Sequence, residues 1–324
     1  MDKRYEELLQ YVERPGRYIG GEINSVVKDW DSADLKVALA FPDLYDIGMS
    51  HLGIKILYHL LNSQENILCE RVFSPWNDME KLLRTRNLPI FTLENNKPLS
   101  EFDIVGFSFS HELNYTNALN ILDMSGIPLR AKARNDVHPL IIAGGPCAFN
   151  PEPMAEFIDM FMIGDGEDAI LEIAARCISL KRKGLSKNKP VLLKELAGIE
   201  GVYIPGLYEA SYKDGRFDIL VPLEGYAPPV IKKRLAKNFE TSFYPAKQIV
   251  PYIPIVHDRV SLEIMRGCPH KCRFCQATMI YSPVRLRSKD AIFRLGKAAQ
   301  MLTGHDEISL LSLSTADYPG VIDL

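Results

Sequence analysis

Residues 35–73 read LKVALAFPDLYDIGMSHLGIKILYHLLNSQENILCERVF. The segment opens on a short apolar run (35–42) followed by loop residues. It continues as HLGIKILYHLLN (51–62), with Leu52, Ile56, Leu57, Leu60 and Leu61 at helical spacing, and closes on a second apolar run, NILCERVF (66–73). Two apolar runs of strand length separated by a segment of helical period predict a strand–helix–strand unit. The alternation carries on downstream. NDMEKLLRTR (77–86) reads as a helix, DIVGFSFS (103–110) as a strand and LNYTNALNILDMSG (113–126) as a helix closed by Gly126. PLIIAGGP (139–146) is a strand entering a glycine turn, PMAEFI (153–158) a short helix, DMFMIGDGE (159–167) a strand ending in a second glycine turn, and AILEIAARCISLKRKG (169–184) a helix. Five apolar runs alternating with helices predict an α/β domain with a mostly parallel sheet over residues 35–185. Ligands of such sheets lie beyond the carboxyl ends of the strands, which singles out loops 43–50, 110–112, 144–153 and 164–168.

Outward from this domain, residues 1–34 read as an N-terminal arm with one short helix and a Pro/Gly stretch. Residues 186–257 read as a linker, in which VYIPGLYEASY, the turn Lys213-Asp214-Gly215-Arg216 and FDILVPL form a β-hairpin signature. A new strand begins at RVSLEIM (259–265), followed by a helix (288–302) and a strand (307–313). The chain of 324 residues is 47% hydrophobic, which excludes a disordered or disulfide-dense protein, and its formal net charge of −3 provides no global field for nucleic acid. No apolar run approaches the roughly 18 residues of a membrane helix, and the start lacks a signal-peptide core, so a cytoplasmic protein with no membrane partner is expected. The run KRKGLSKNK (181–189) reads as a solvated loop or an RNA contact.

Three of the six cysteines are scattered; Cys268, Cys272 and Cys275 fall within eight residues, MRGCPHKCRFCQ (265–276), directly after a strand. Thiolates so close in sequence can converge on one inorganic centre. Zinc would use them with His270 as a fourth ligand, although the C-x2-C pairs separated by a long insert that mark most zinc sites are missing. An iron–sulfur cluster would use the three thiolates and leave one iron without a protein ligand, where a substrate can bind. Three core cysteines without metal fit poorly in a loop interrupted by Arg, His and Lys.

The C-x3-C-x2-C spacing with Phe274 before the last cysteine resembles the signature loop of the radical S-adenosylmethionine (SAM) enzymes. That resemblance implies Cys268, Cys272 and Cys275 as ligands of a [4Fe-4S] cluster, SAM bound at the fourth iron, Phe274 in the cofactor shell, and reductive cleavage of SAM to a 5′-deoxyadenosyl radical. It further implies a flavodoxin or ferredoxin as reductant and a substrate that no residue identifies. RGCPHKCRFCQA followed by IYSPVRLRS, behind a parallel α/β domain, is similar to the branch with an N-terminal cobalamin-binding-like domain, as are the arm RPGRYIGGEINSVVKDW (14–30) and STADYP (314–319). Arg285 and Arg287 match arginines expected to contact the cofactor, whereas Ser282 stands where another arginine is expected.

The fold class implied is α/β: a flavodoxin- or Rossmann-like parallel sheet domain, a hairpin linker, and the first two βα units of an incomplete TIM-like barrel (258–324). About 30 residues per unit leaves room for two units, so a truncated chain is expected, whose remaining barrel a longer chain would supply. Cobalamin is a further candidate cofactor. Asp46, His51 and Gly53 have the residue types of the D-x-H-x-x-G motif at a different spacing, while Gly144, Gly145, Gly164 and Gly166 resemble the domain's cofactor-facing turns and permit close backbone approach. Ser314, Thr315 and Asp317 replace the glycine-rich turn that holds the cofactor's amino group. Two rival readings are a non-catalytic corrinoid- or partner-binding module, and a zinc-stabilised nucleic-acid adaptor using the basic runs 181–189 and 232–237.

Overall fold

The computed structural model of the chain describes residues 2–324 except 187, 224 and 226. Six strands form the main sheet: β1 (Leu35–Phe41), β2 (Ile67–Phe73), β3 (Ile104–Ser108), β4 (Leu140–Gly144), β5 (Met160–Met162) and β6 (Val202–Tyr203), in the order β2-β1-β3-β4-β5-β6. The first five run parallel and β6 is antiparallel to β5. The order 2-1-3-4-5 is that of the flavodoxin-like doubly wound sheets.

The helices are α1 (Lys3–Glu6), α2 (Tyr45–Gly48), α3 (Leu52–Asn62), α4 (Asn77–Arg86), α5 (Asn114–Met124), α6 (Glu167–Arg182), α7 (Lys189–Leu196), α8 (Gln276–Tyr281) and α9 (Lys289–Thr303). Strand β1 is buried on both faces, and its two alternating sets of side chains enter different cores. Leu35, Val37, Leu39 and Phe41 pack with Ile54, Tyr58 and Leu61 of α3 and Ile170 and Ile173 of α6. Ala38 and Ala40 face Met79 and Leu83 of α4, Ala118, Ile121 and Leu122 of α5, and Tyr5 and Leu8 of the arm. A parallel sheet covered on both faces reads as near-continuous apolar runs, which is why these strands were visible in the sequence.

The expected linker (186–257) is only partly a linker. Leu192 and Leu196 of α7, together with Ile199, Val202 and Ile204, belong to the α/β core, so this domain continues to the end of β6. The hairpin forms as expected from β7 (Tyr208–Lys213) and β8 (Arg216–Pro222), with Asp214 and Gly215 both at positive φ as a two-residue Asp-Gly turn requires. Residues 224 and 226 of the linker lie outside the described residues, as does Lys187 of the basic run. Three of the other four basic side chains of that run are paired: Lys181 with Asp103, Arg182 with Asp34 and Lys189 with Asp159.

Beyond the linker, β9 (Val260–Glu263) and β12 (Ile308–Leu311) pair in parallel, joined through α9 in a strand–helix–strand unit; of the two βα units expected, the second has its strand but no α-helix after it among the described residues. Ser288 caps α9 by accepting from the Ala291 N–H, and Gly304 ends it in the left-handed conformation. Leu52 and Ile56 of α3 pack with Val260, Leu262 and Ile264 of the β9 segment and with Ile292 and Ala299 of α9, so one apolar cluster joins the α/β domain to the β9–β12 unit.

Helix α3 also carries His51 and His59, whose imidazoles are pushed down to about 4, first by burial and then by neighbouring cations, Lys55 beside His51 and Arg71 beside His59. An unfolded chain would protonate both near the ordinary value of 6.5, and the folded chain refuses those protons until about 4. Stability is therefore greatest above pH 6.5 and is expected to erode as the pH falls through the window down to 4. Thermal unfolding followed across that window tests this. A midpoint that stays flat until the carboxylate range contradicts the neutral burial of these two rings.

Candidate metal centre

The cysteine loop leaves the sheet at the carboxyl end of β9, the end at which βα-barrel sites are built. Its two ends are held together by β10 (Met265–Arg266) and β11 (Arg285–Leu286), which pair antiparallel, Met265 opposite Leu286 and Arg266 opposite Arg285. Between them run the loop and α8. Gly267 sits at φ +93°, and a Cβ there would lie 2.9 Å from the carbonyl oxygens of Tyr281 and Pro283 and 3.0 Å from Val284 Cα. Since all three are backbone atoms, only glycine lets the chain pass. Lys233 from the linker donates to the carbonyls of Met279 and Ile280, each at 3.2 Å, and to that of Ser282, closing the far end of α8. Gly267→Ala is expected to cost about 1–3 kcal/mol and to raise the rate at which Cys272 is alkylated, because the substitution forces the loop away from 281–284. An unchanged melting temperature and alkylation rate would argue against this tight crossing.

All three thiols are reduced and lie on this surface loop, Cys268 and Cys275 half-buried and Cys272 exposed. The backbone N–H of Thr278 in the first turn of α8 holds the Cys275 thiol below its ordinary range, as a metal ligand requires. Phe274, expected in a cofactor shell, is 92% exposed. Among the described residues no three His, Cys, Asp or Glu side chains gather around a point where one metal ion would sit. A single zinc needs every sulfur within about 2.3 Å of it. A cubane cluster spreads its thiolates over several irons, so an exposed loop of three thiols fits the cluster by donor chemistry and fits zinc less well. His270, the expected fourth zinc ligand, instead lies 2.7 Å from an Asp317 carboxylate oxygen. Asp317 is held below the usual carboxylate range first by the Ser314 hydroxyl and then by His270. The STADYP turn thus stands beside the cysteine loop at the ends of β12 and β9: Ser314 and Asp317 meet the loop through His270, while Thr315 turns to Ser312.

The two arginines expected to reach a cofactor are committed to the protein. Arg287 is buried beneath the linker, donating to the Glu240 and Ser242 carbonyls and the Ser242 hydroxyl, with Phe239 stacked 4.7 Å from its guanidinium carbon. Arg285 pairs with Asp165. Asp165 belongs to the Gly164-Asp165-Gly166-Glu167 turn after β5, and the same turn is gripped by Arg266. The Arg266 guanidinium lies 3.0 Å from Asp165, 2.7 Å from Glu167 and 2.9 Å from Glu263, with all four side chains largely buried. Burial opposes ionisation of Asp165, but Arg266, Arg285 and the Ala236 N–H outweigh it and hold the carboxyl below its ordinary range. This latch escaped the sequence reading, because Arg266 is separated by about a hundred residues from the acidic turn it binds and nothing local marks the pair.

The glycines of these turns have local explanations. A Cβ on Gly164 (φ +112°) would meet the backbone of Arg234 at 2.1 Å, and one on Gly145 (φ +94°) would meet the Phe109 carbonyl oxygen at 2.6 Å. Gly144 and Gly166 lie beside them, with Met162 and Leu57 as their nearest neighbours. Arg234 of the 232–237 run pairs with Glu172, and with Glu200 at 3.6 Å. His51 stands at the start of α3 against the Phe41 ring, as a helix-start histidine.

Residues 53–205 match the family described as radical SAM proteins, N-terminal. Uncharacterized protein MJ0966 of Methanocaldococcus jannaschii is 24% identical over 291 residues, which is 89% of this chain and 51% of that protein. The chain therefore spans about half the length of this curated relative. Among solved structures, the radical SAM methyltransferase TsrM from Kitasatospora setae, with cobalamin and a [4Fe-4S] cluster bound, is similar with a TM-score of 0.49 and 15% identity, over 87% of this chain and 50% of that one. The cobalamin-dependent SAM radical enzyme OxsB, with aqua-cobalamin and SAM bound, gives 0.47 and 18%, over 85% and 33%. No helix among the described residues is long and apolar enough to cross a membrane. The family matched over residues 53–205 is the one whose signature loop the C-x3-C-x2-C spacing resembles.

Proposed function

We propose that Cys268, Cys272 and Cys275 hold a [4Fe-4S] cluster and that the chain belongs to an enzyme that cleaves SAM reductively, using an external flavodoxin- or ferredoxin-type electron donor. The observation that carries this reading is the placement of three thiols on one surface loop at the carboxyl end of β9. A cluster held by Cys268, Cys272 and Cys275 would supply one-electron reducing chemistry for the cleavage of SAM. The chain's own part is to hold and shield. The β10–β11 pair and Lys233 fix the loop ends, Gly267 sets its exit, and the His270–Asp317 contact ties it to the 314–317 turn. Phe274 offers an uncovered aromatic face beside the thiols, suited to an adenine-sized ligand.

Two of the four glycines expected to face a corrinoid, Gly145 and Gly164, have local reasons to be glycine and so give no support to corrinoid binding. The positions vacated at Gly145 and Gly164 are crossed by backbone, and the acidic pair of the second turn is latched to Arg266 and Arg285. Nor does His270, engaged by Asp317, favour a zinc-stabilised nucleic-acid adaptor. Anaerobic reconstitution followed by iron and sulfide analysis, Mössbauer spectroscopy and a dithionite-driven 5′-deoxyadenosine assay tests the proposal. Cubane iron with deoxyadenosine formation is the expected result, cubane iron without it would reduce the chain to a cluster-holding part of the enzyme, and zinc or no metal would overturn the reading.

A further inference from the structure

From Ile264 to Lys289 the chain carries six arginines and lysines and no aspartate or glutamate. A cation of this segment that folding buries therefore needs a carboxylate supplied from outside it. Asp165, in the turn after β5, supplies one to both ends of the cysteine loop. One of its oxygens lies 3.0 Å from Arg266, where the chain enters the loop on β10, and the other pairs with Arg285, where the chain leaves it on β11. The two arginines face each other across that strand pair, so a single carboxylate straddles the gateway of the loop. The same carboxylate accepts the Ala236 N–H at 2.8 Å, which ties it to the linker close to Lys233, the residue that grips the end of α8. Burial first, and Arg285 second, hold the Lys233 ammonium below its ordinary range, and Asp165 acts against them. The side chains of Asp165, Arg266 and Arg285 are only 10% to 14% exposed, so salt and water screen these charges little.

We infer that Asp165 is a positioning residue of the candidate metal centre, setting from the α/β domain the spacing of the two chain ends between which Cys268 and Cys275 are held. This role rests on the cluster proposed above for its purpose, whereas the spacing is readable in the iron-free chain. Arg266 has two further acids, Glu167 and Glu263, but Asp165 is the one carboxylate paired with Arg285 among the described residues. Without its charge, Arg285 is unpaired beside Lys233 and Arg266. Its movement toward water would draw β11 and the end of α8 away from β10.

Asp165→Asn keeps the shape of the side chain and an oxygen for the Ala236 N–H. In the full chain, iron-free, reduced and anaerobic, alkylation by iodoacetamide followed at each cysteine by mass spectrometry tests the assignment. Cys268 and Cys275 are expected to react about tenfold faster or more, while Cys69 and Cys177, buried in the α/β core, stay protected. Adding Arg285→Gln removes the orphaned cation and should bring both rates back to within about twofold of the parent. Recovery of folding by that second substitution carries the same meaning if Asp165→Asn alone does not fold. Unchanged rates at Cys268 and Cys275 would overturn the inference. So would equal acceleration at the two core cysteines, which marks global unfolding, or a double variant as reactive as the single one. The expected alkylation pattern in a chain that binds no iron would keep Asp165 in this role and overturn the cluster reading alone.

Discussion

Replacing Cys268, Cys272 and Cys275 with alanine, singly or together, is expected to bring the iron retained after anaerobic reconstitution from about four atoms per chain to nearly none. A cubane with three protein thiolates has no spare protein ligand, so losing one sulfur leaves two irons without one. The remaining cysteines provide the control. Cys69 and Cys177 are buried in the α/β core with their thiols raised by burial, and Cys147 is raised as well, first by burial and then by Glu112. Thiols held in the protonated form are poor ligands, so Cys147→Ala should retain the full complement of iron. Iron analysis with the visible absorption of the cluster reads both outcomes. A triple variant that still binds four irons would place the cluster elsewhere. A Cys147→Ala variant that loses its iron would make that residue part of the centre.

Arg266→Ala is expected to destabilise the chain by about 3–5 kcal/mol, because three nearly buried carboxylates, Asp165, Glu167 and Glu263, lose the cation they share. Asp165 would keep Arg285 and the Ala236 N–H, but Glu167 and Glu263 would keep neither. At about 2–4 °C per kcal/mol, the melting temperature should fall by roughly 10 °C. Neutralising one acid in the same background, as in Arg266→Ala with Glu167→Gln, should recover part of that loss, which distinguishes a charge effect from the loss of the Phe239 contact at 5.0 Å. If Arg266→Ala melts within a degree or two of the parent, the latch is not holding the two units together.

The parts of the fold that were legible share one property: their signal is local. Strand β1 announced itself because burial on both faces makes every position apolar. Helix α9 did so because Ser288 and Gly304 bracket an apolar period, and the hairpin because Asp214-Gly215 separates two runs of strand character. Strand β6 was missed because two residues carry no period, and α7 because it follows a basic run that resembles solvated loop. The candidate metal centre was legible as a spacing of cysteines. Its supports were not, since Lys233, Asp165, Glu167 and Asp317 make their contacts from positions 46 to 120 residues away. Arg285 and Arg287 were read as reaching outward to a ligand. In the structure Asp165 and the 239–242 stretch claim them first, and no property of their immediate neighbours in the chain distinguishes the two fates.

The antiparallel clasp between β10 and β11 has a bearing on assembly. Small metal-binding modules often collapse when a chelator strips them, because the metal is what brings their ends together. Here the excursion from 266 to 285 is shut by its own backbone ladder and by Lys233, so the vestibule stands before any inorganic cargo arrives. If the proposed cluster is loaded there, loading can follow folding as a separate event.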